Sequence, residues 1–84
     1  MSEEQIRERV LDILAGLAPE MDVHSLKPEV RLRDQMDIDS MDFLNFLIGV
    51  DAELGVDIPE ADYPKLATLN SIYAYLREKL PAQA

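Results

Sequence analysis

The chain has 84 residues, a formal net charge of −9 and no cysteine. This length suits one domain over residues 1–84, with a flexible tail over about 81–84, and the lack of cysteine excludes a disulfide framework and a cysteine-built metal site. No apolar run approaches the ~20 residues that cross a bilayer, and the charged start differs from a signal peptide, so we expect a soluble protein of the reducing cytoplasm.

The first predicted helix runs from about Ser2, a suitable N-cap, to Leu17. Apolar residues recur along it at helical spacing, namely Ile6, Val10, Ile13, Leu14 and Leu17. Pro19 follows its end, and residues 18–38 show no sustained period, which predicts a long ordered loop. Six apolar residues are expected to hold this loop on the core: Val23, Leu26, Val30, Leu32, Met36 and Ile38.

Three further helices are predicted after this loop. The second helix covers residues 39–54, and Gly55 suits its C-terminal cap. Residues 59–66 suit a short third helix or turn, and the last helix runs from its N-cap Thr68 to about Leu80. No segment alternates like a strand, so we expect an all-α fold with three main helices, one short third helix and a long loop between helices one and two.

The second helix carries two apolar faces. At about 100° per residue, one face brings together the side chains expected in the core, namely Phe43, Phe46, Leu47, Val50 and Leu54. A separate stripe, centred roughly 120° away by the same arithmetic, consists of Met41, Leu44 and Ile48. Ser40 lies at the N-terminal end of this stripe and Asp51 lies beside it. Two explanations are open: burial under the loop or the short helix, or a docking surface with an acidic rim.

The excess negative charge belongs to one segment. Between Asp34 and Pro64 there are nine acidic residues and no Lys or Arg, whereas the eight acids and eight bases elsewhere cancel. Such a segment repels nucleic acids and anionic membranes, and it attracts proteins with basic patches. A solvated acidic face that only maintains solubility is the alternative explanation.

The stretch 37–42 contains Asp-Ser and supports several interpretations. As a helix start, it provides Asp39 as a cap and Asp42 near the positive end of the helix dipole. An EF-hand is rejected, because Asp42 stands where that loop needs glycine and Ile48 where it needs glutamate. A self-contained serine enzyme is not predicted either, since His24 lies in no motif and no Gly-x-Ser-x-Gly elbow is present. We therefore expect neither an enzyme nor a metal site.

Over nearly its full length the chain resembles the acyl carrier protein family. The shared layout is a first helix, a long loop, an Asp-Ser pair opening the second helix, a short third helix and a last helix. The residues that carry the resemblance are Asp39-Ser40-Met41-Asp42, Leu54-Gly55-Val56-Asp57-Ile58-Pro59 and Thr68. The Asp-Ser pair alone is a weak motif, but this combination in an acidic chain is fairly specific. The resemblance implies an acyl-carrier-like four-helix bundle.

The same resemblance implies that Ser40, next to Asp39, receives 4′-phosphopantetheine from coenzyme A through a phosphopantetheinyl transferase. The chain would then carry an acyl or aminoacyl thioester between loading and processing enzymes that have basic docking patches. The implied contacts with these partners lie on the second helix, at Met41, Asp42, Leu44, Ile48, Asp51 and Glu53. The implied protein is a monomeric carrier, not an enzyme, with no nucleic-acid partner and no membrane span.

Some positions depart from the family pattern. Asp37 stands where glycine is usual, Asn45 and Ala52 stand where fatty-acid carriers have acids, and Tyr63-Pro64 is unusual in the third helix. These departures favour a specialised lipid or secondary pathway over the housekeeping fatty-acid carrier. Two alternatives stay open. One is a D-alanyl-type carrier, which the chain also resembles at Thr68-Leu69-Asn70-Ser71-Ile72. The other is an acidic interaction module that is never modified.

Overall fold

A computed structural model describes residues 2–80, and the predicted all-α fold is confirmed over that range. The α-helices, in chain order, are α1 (Glu3–Leu17), α2 (Leu32–Gln35), α3 (Ser40–Leu54) and α4 (Leu69–Lys79). Two 3-10 segments, η1 (Val23–Ser25) and η2 (Glu60–Lys65), lie between them. No helix within residues 2–80 combines the length and the apolar character needed to cross a membrane. The tail predicted over 81–84 lies outside the described residues.

Reciprocal capping sets the starts of the three long helices. The Gln5 backbone N–H donates to Ser2 Oγ at 3.1 Å, and the Ser2 backbone N–H donates to Gln5 Oε1 at 3.0 Å. Asp39 and Thr68 begin α3 and α4 in the same way. Gly55 ends α3 with a φ of 65°, a left-handed conformation that glycine adopts without steric cost. The predicted caps of all three helices are therefore confirmed.

The core is formed by apolar side chains from the long helices and from the segments between them. The predicted core face of α3 is buried, with Phe43 half-buried at its edge. The ring centroids of Phe43 and Phe46 lie 6.3 Å apart. At Gly49, a Cβ would lie 3.2 Å from Ile13 Cγ2, so the missing side chain lets α1 approach α3 closely. α1 packs against both α3 and α4.

The loop between α1 and α3 is fastened to the start of α4 by backbone hydrogen bonds. The Leu32 N–H donates to the Ala67 carbonyl at 2.9 Å, and the Asn70 N–H donates to the Pro28 carbonyl at 3.0 Å. The loop also contains the short segments η1 and α2, which the sequence pattern did not predict. A single turn is too short to show a helical period, and α2 is stabilised by the burial of Leu32.

The loop residues predicted to face the core do so to different degrees. Four of them are buried, namely Val23, Leu26, Leu32 and Met36. Val30 and Ile38 are half-buried. The loop therefore contributes to the core along most of its length, as expected of an ordered segment.

A group of polar side chains fastens η2 to α4. The Tyr75 hydroxyl donates to Asp62 Oδ2 at 2.7 Å, and Lys65 Nζ lies 3.4 Å from Asp62 Oδ1. Lys79 Nζ lies 5.4 Å from the centroid of the Tyr75 ring, within range of a cation–π contact. Burial, together with the hydrogen bond to Asp62, raises the pKa of Tyr75 to about 12. The hydrogen bond from Tyr75, together with Lys65, lowers the pKa of Asp62.

These shifts predict how the contribution of this group to stability depends on pH. Because folding raises the pKa of Tyr75 from 10.0, its contribution is complete below pH 10.0 and declines as the pH rises toward about 12. Because folding lowers the pKa of Asp62 from 3.8, its contribution is complete above pH 3.8 and declines as the pH falls further. We expect a tyrosinate absorbance component near pH 12 that is lost in Tyr75→Phe and retained in Tyr63→Phe. Because burial also raises the pKa of Tyr73, the assignment would be contradicted only if Tyr75→Phe kept the full amplitude of this component.

Candidate functional site

Ser40 is the first residue of α3, and its side chain is exposed. Its hydroxyl takes part in none of the side-chain hydrogen bonds found within residues 2–80. The histidine of the chain, His24, lies in η1, where its backbone N–H donates to Asp22 Oδ1 at 3.1 Å. Within residues 2–80, no base is hydrogen-bonded to the Ser40 hydroxyl.

The backbone around Ser40 leaves two amides without a hydrogen-bond acceptor among residues 2–80. The Asp42 N–H donates to Asp39 Oδ1 at 2.9 Å, and the Phe43 N–H donates to the Asp39 carbonyl at 3.1 Å. In the described part of the chain, the amides of Ser40 and Met41 have no such acceptor, as is usual in the first turn of a helix. These amides and the positive end of the helix dipole favour an anion beside the Ser40 side chain.

The predicted second stripe of α3 lies at the surface. Met41 is 62% exposed and Ile48 is 51% exposed, and both belong to the long helix that Ser40 begins. Leu44, between them, is half-buried. Of the two explanations drawn from the sequence, burial is therefore wrong for Met41 and Ile48. Contiguous exposed apolar side chains on one helix face are a feature that protein-binding surfaces often share.

The acidic residues of α3 have different partners. The Asp42 backbone N–H donates a hydrogen bond to Asp39 Oδ1, and the Asp42 carboxylate accepts one from the Asp39 N–H at 3.4 Å. Asp51 Oδ2 accepts a hydrogen bond from the Ile58 N–H at 3.1 Å, so this carboxylate also holds the chain that follows α3. Glu53 Oε1 lies 3.5 Å from Arg9 Nη2 of α1, between exposed side chains. The sequence pattern predicted neither the Asp51 nor the Glu53 contact.

A cavity of about 450 Å³ lies beside the start of α3, between α2 and η2. Its apolar lining includes Ile38, Phe43, Tyr63 and Pro64. Its charged lining consists of Arg31, Arg33 and Asp34 from α2 and the residue before it. No pattern in the sequence predicts this cavity, because its walls come from three separate segments. The one available signal was the unusual Tyr63-Pro64 pair, which lies in its wall.

Comparison with known proteins adds to this geometry. Residues 8–76 match the family described as phosphopantetheine attachment site. The acyl carrier protein of Chlorobium phaeobacteroides is 32% identical over 81 residues, which covers 94% of this chain and 100% of that protein. The chain belongs to the acyl carrier protein family. The family member from Lactobacillus acidophilus is 29% identical over 77 residues (92% of this chain and 95% of that protein), and the one from Streptomyces coelicolor is 26% identical over 82 residues (98% and 89%).

Membership establishes the general role of the chain. As an acyl carrier protein it carries acyl groups on 4′-phosphopantetheine, and it is a carrier and not an enzyme. It interacts with a phosphopantetheinyl transferase and with acyl-processing enzymes. The resemblance inferred from the sequence is thereby confirmed at the level of the family and its prosthetic group.

Proposed function

We propose that Ser40 is the residue that holds 4′-phosphopantetheine and that the chain carries an acyl or aminoacyl thioester on this arm. The observation that carries the proposal is the accessible hydroxyl of Ser40 at the start of a long helix. Residues 8–76 contain two other serines. The Ser25 hydroxyl donates to the Asp22 carbonyl at 2.7 Å, and the half-buried Ser71 hydroxyl donates to the Thr68 carbonyl at 2.8 Å. Of these three serines, Ser40 is the one that is exposed and whose hydroxyl makes no hydrogen bond within residues 2–80.

The residues at the start of α3 suit the attachment of 4′-phosphopantetheine. A phosphodiester on Ser40 would lie at the positive end of the helix dipole, near the amides of Ser40 and Met41 that have no acceptor in the described chain. The Asp39 and Asp42 carboxylates accept from each other's backbone amides, so Asp39 would position Ser40 by capping the helix. The thiol at the end of the bound arm supplies the thioester chemistry.

Ser40 would act as the acceptor in a transferase-catalysed step. Its Oγ forms a bond to the pantetheine-bearing phosphorus of coenzyme A while the P–O–P bridge breaks, and adenosine 3′,5′-bisphosphate leaves. The hydroxyl proton passes to a base of the transferase, because no hydrogen-bonded base lies at Ser40 within residues 2–80. The chain itself contributes exposure, helix polarity and a surface that the transferase recognises.

The experiment that tests the attachment is the intact mass after incubation with coenzyme A, magnesium and a promiscuous phosphopantetheinyl transferase. We expect a single adduct in the intact mass, and proteolysis of the product should place it on the peptide that contains Ser40. If folded protein gains no adduct with transferases from several lineages, the attachment fails and the unmodified interaction module is favoured.

Partner enzymes are proposed to dock on the exposed stripe Met41, Leu44 and Ile48. The stripe begins one residue after Ser40, so a bound partner would lie beside the prosthetic arm. Asp42 and Asp51 supply negative charge near it and match partners with basic patches. Asp42 and Asp51 form an acidic rim beside the stripe, and Glu53 is proposed as its outer part. The Glu53 carboxylate also lies 3.5 Å from Arg9.

Met41→Asp and Ile48→Asp are each expected to lower kcat/KM for phosphopantetheine transfer about tenfold. The reason is that burying an apolar side chain of this size in a contact is worth about 1.5 kcal/mol or more, and a buried charge removes that gain. The matched control is Ala74→Asp, which adds the same charge to an exposed position of α4. Circular dichroism would verify the helical fold of all three variants. Unchanged kinetics in both stripe variants would refute docking on this surface.

We also propose that the chain serves a specialised lipid or secondary pathway. The departures from the family pattern support this, since Asn45 and Ala52 reduce the negative charge of α3 relative to fatty-acid carriers. Tyr63 and Pro64 support it as well, because they line the cavity beside the start of α3. A D-alanyl-type carrier is the second candidate. Loading by a D-alanine ligase, and not by acyl transferases, would favour it.

A further inference from the structure

The cavity beside α3 lies next to the proposed attachment residue. Ile38, which lines it, is two residues before Ser40, so their Cα atoms are at most ~7.6 Å apart. Phe43, also in its lining, is three residues after Ser40 on the same helix, where side chains are neighbours. An acyl group on an arm that begins at Ser40 is therefore able to reach this cavity.

The size and the walls of the cavity suit a short cargo. Its volume of about 450 Å³ lies within the range of small-molecule sites, roughly 300–1,000 Å³. Tyr63 and Pro64 of η2 line it together with Ile38 and Phe43, which gives methylene groups an apolar surface. The Tyr75 hydroxyl, at 2.7 Å from Asp62, holds η2 in place and thereby holds this wall.

The charge of the cavity is opposite to that of the chain. Arg31 Nε lies 3.0 Å from Asp34 Oδ2, so these two charges offset each other. Arg33 forms none of the ion pairs found within residues 2–80, and it leaves one positive charge in the cavity lining. An uncharged alkyl end would reduce the hydration of this guanidinium without replacing it, whereas a carboxylate would pair with it.

We propose that this cavity receives the distal end of a short acyl group that bears a free carboxylate, and that Arg33 pairs with that carboxylate. The inference rests on the proposed attachment at Ser40 and adds a class of cargo to it. Arg33 is here a residue that determines cargo preference. It acts on the distal carboxylate, and any change in the rate of thioester cleavage follows from holding the acyl group in the cavity.

The test compares two cargoes of equal shape on the full chain. Glutaryl- and 5-methylhexanoyl-phosphopantetheine are each transferred from the corresponding coenzyme A thioester, and the intact mass verifies loading. Glutaryl is expected to shift the backbone amide resonances of Ile38, Phe43 and Tyr63 relative to the unloaded arm. With each rate divided by that of the same acyl group on free coenzyme A, which cancels the intrinsic reactivity of the two thioesters, glutaryl is also expected to slow cleavage by hydroxylamine roughly threefold relative to 5-methylhexanoyl, the size of a partly exposed ion pair.

Two variants separate the outcomes. In Arg33→Gln the difference between the cargoes should vanish, whereas Arg77→Gln, an exposed arginine that pairs with Glu3 outside the cavity, should retain it. Equal cleavage rates and equal resonances for both cargoes on the wild type would overturn the inference and leave the attachment intact. The inference would also be overturned if Arg33→Gln shifted the amide resonances of the unloaded arm as much as those of the glutaryl-loaded arm. Arg33 would then contact the phosphodiester. Failure to form any adduct would refute the attachment itself.

Discussion

Replacing Ser40 with alanine is expected to abolish the phosphopantetheine adduct completely while leaving the stability of the fold nearly unchanged. The variant lacks the oxygen that would bond to phosphorus, so no transferase is able to modify this position. The Ser40 hydroxyl makes no side-chain hydrogen bond within residues 2–80, and alanine has a higher helix propensity than serine. We therefore expect a change of at most ~0.5 kcal/mol in the free energy of unfolding. Intact mass and urea unfolding measure the two effects.

The matched control for this substitution is Ser25→Ala. It removes a hydroxyl whose hydrogen bond to the Asp22 carbonyl is 2.7 Å long, in a segment away from α3. This variant should keep the full adduct and lose up to about 1 kcal/mol of stability. An adduct that persists on Ser40→Ala would assign the attachment to another residue. Loss of the adduct from both variants would point to a general effect on transferase recognition.

Phe46→Ala is expected to have the largest effect on stability. Phe46 is 0% exposed, and its ring lies 6.3 Å from that of Phe43 at a tilt of 41°. Truncating a buried phenylalanine to alanine costs about 3–5 kcal/mol, because it removes apolar burial and leaves a cavity. A domain of this size has a total stability on the order of a few kcal/mol to ten. The variant should therefore be partly or wholly unfolded under conditions in which the wild type is folded.

Urea unfolding followed by circular dichroism checks this expectation. The control is Ile48→Ala on the same helix, which removes a side chain that is 51% exposed. That variant should change the free energy of unfolding by less than ~1 kcal/mol. Similar losses in the two variants would mean that the stripe with Ile48 supports the fold, which would weaken its proposed role as a free docking surface.

The sequence by itself determined the three long helices, their starts and the candidate attachment residue. The capping boxes at Ser2, Asp39 and Thr68 each join residues three apart. The apolar side chains that define a face of α3 likewise recur every three or four residues. Interactions of this kind depend only on neighbouring residues, so a pattern in the chain predicts them. Ser40 was found in the same way, from a local motif, and its exposure at the start of α3 agrees with that prediction.

Only the tertiary structure decided which distant residues meet. The Tyr75 bond to Asp62 spans 13 residues, and the Arg9 pair with Glu53 spans 44. The cavity combines Arg33, Phe43 and Tyr63 from three elements, and α2 depends on contacts with the start of α4. Such contacts follow from how helix faces pack around a shared core, and no local period or cap encodes that packing. The three long helices and the candidate serine were thus predictable, whereas α2 and the charge and shape of the surroundings of Ser40 required the fold.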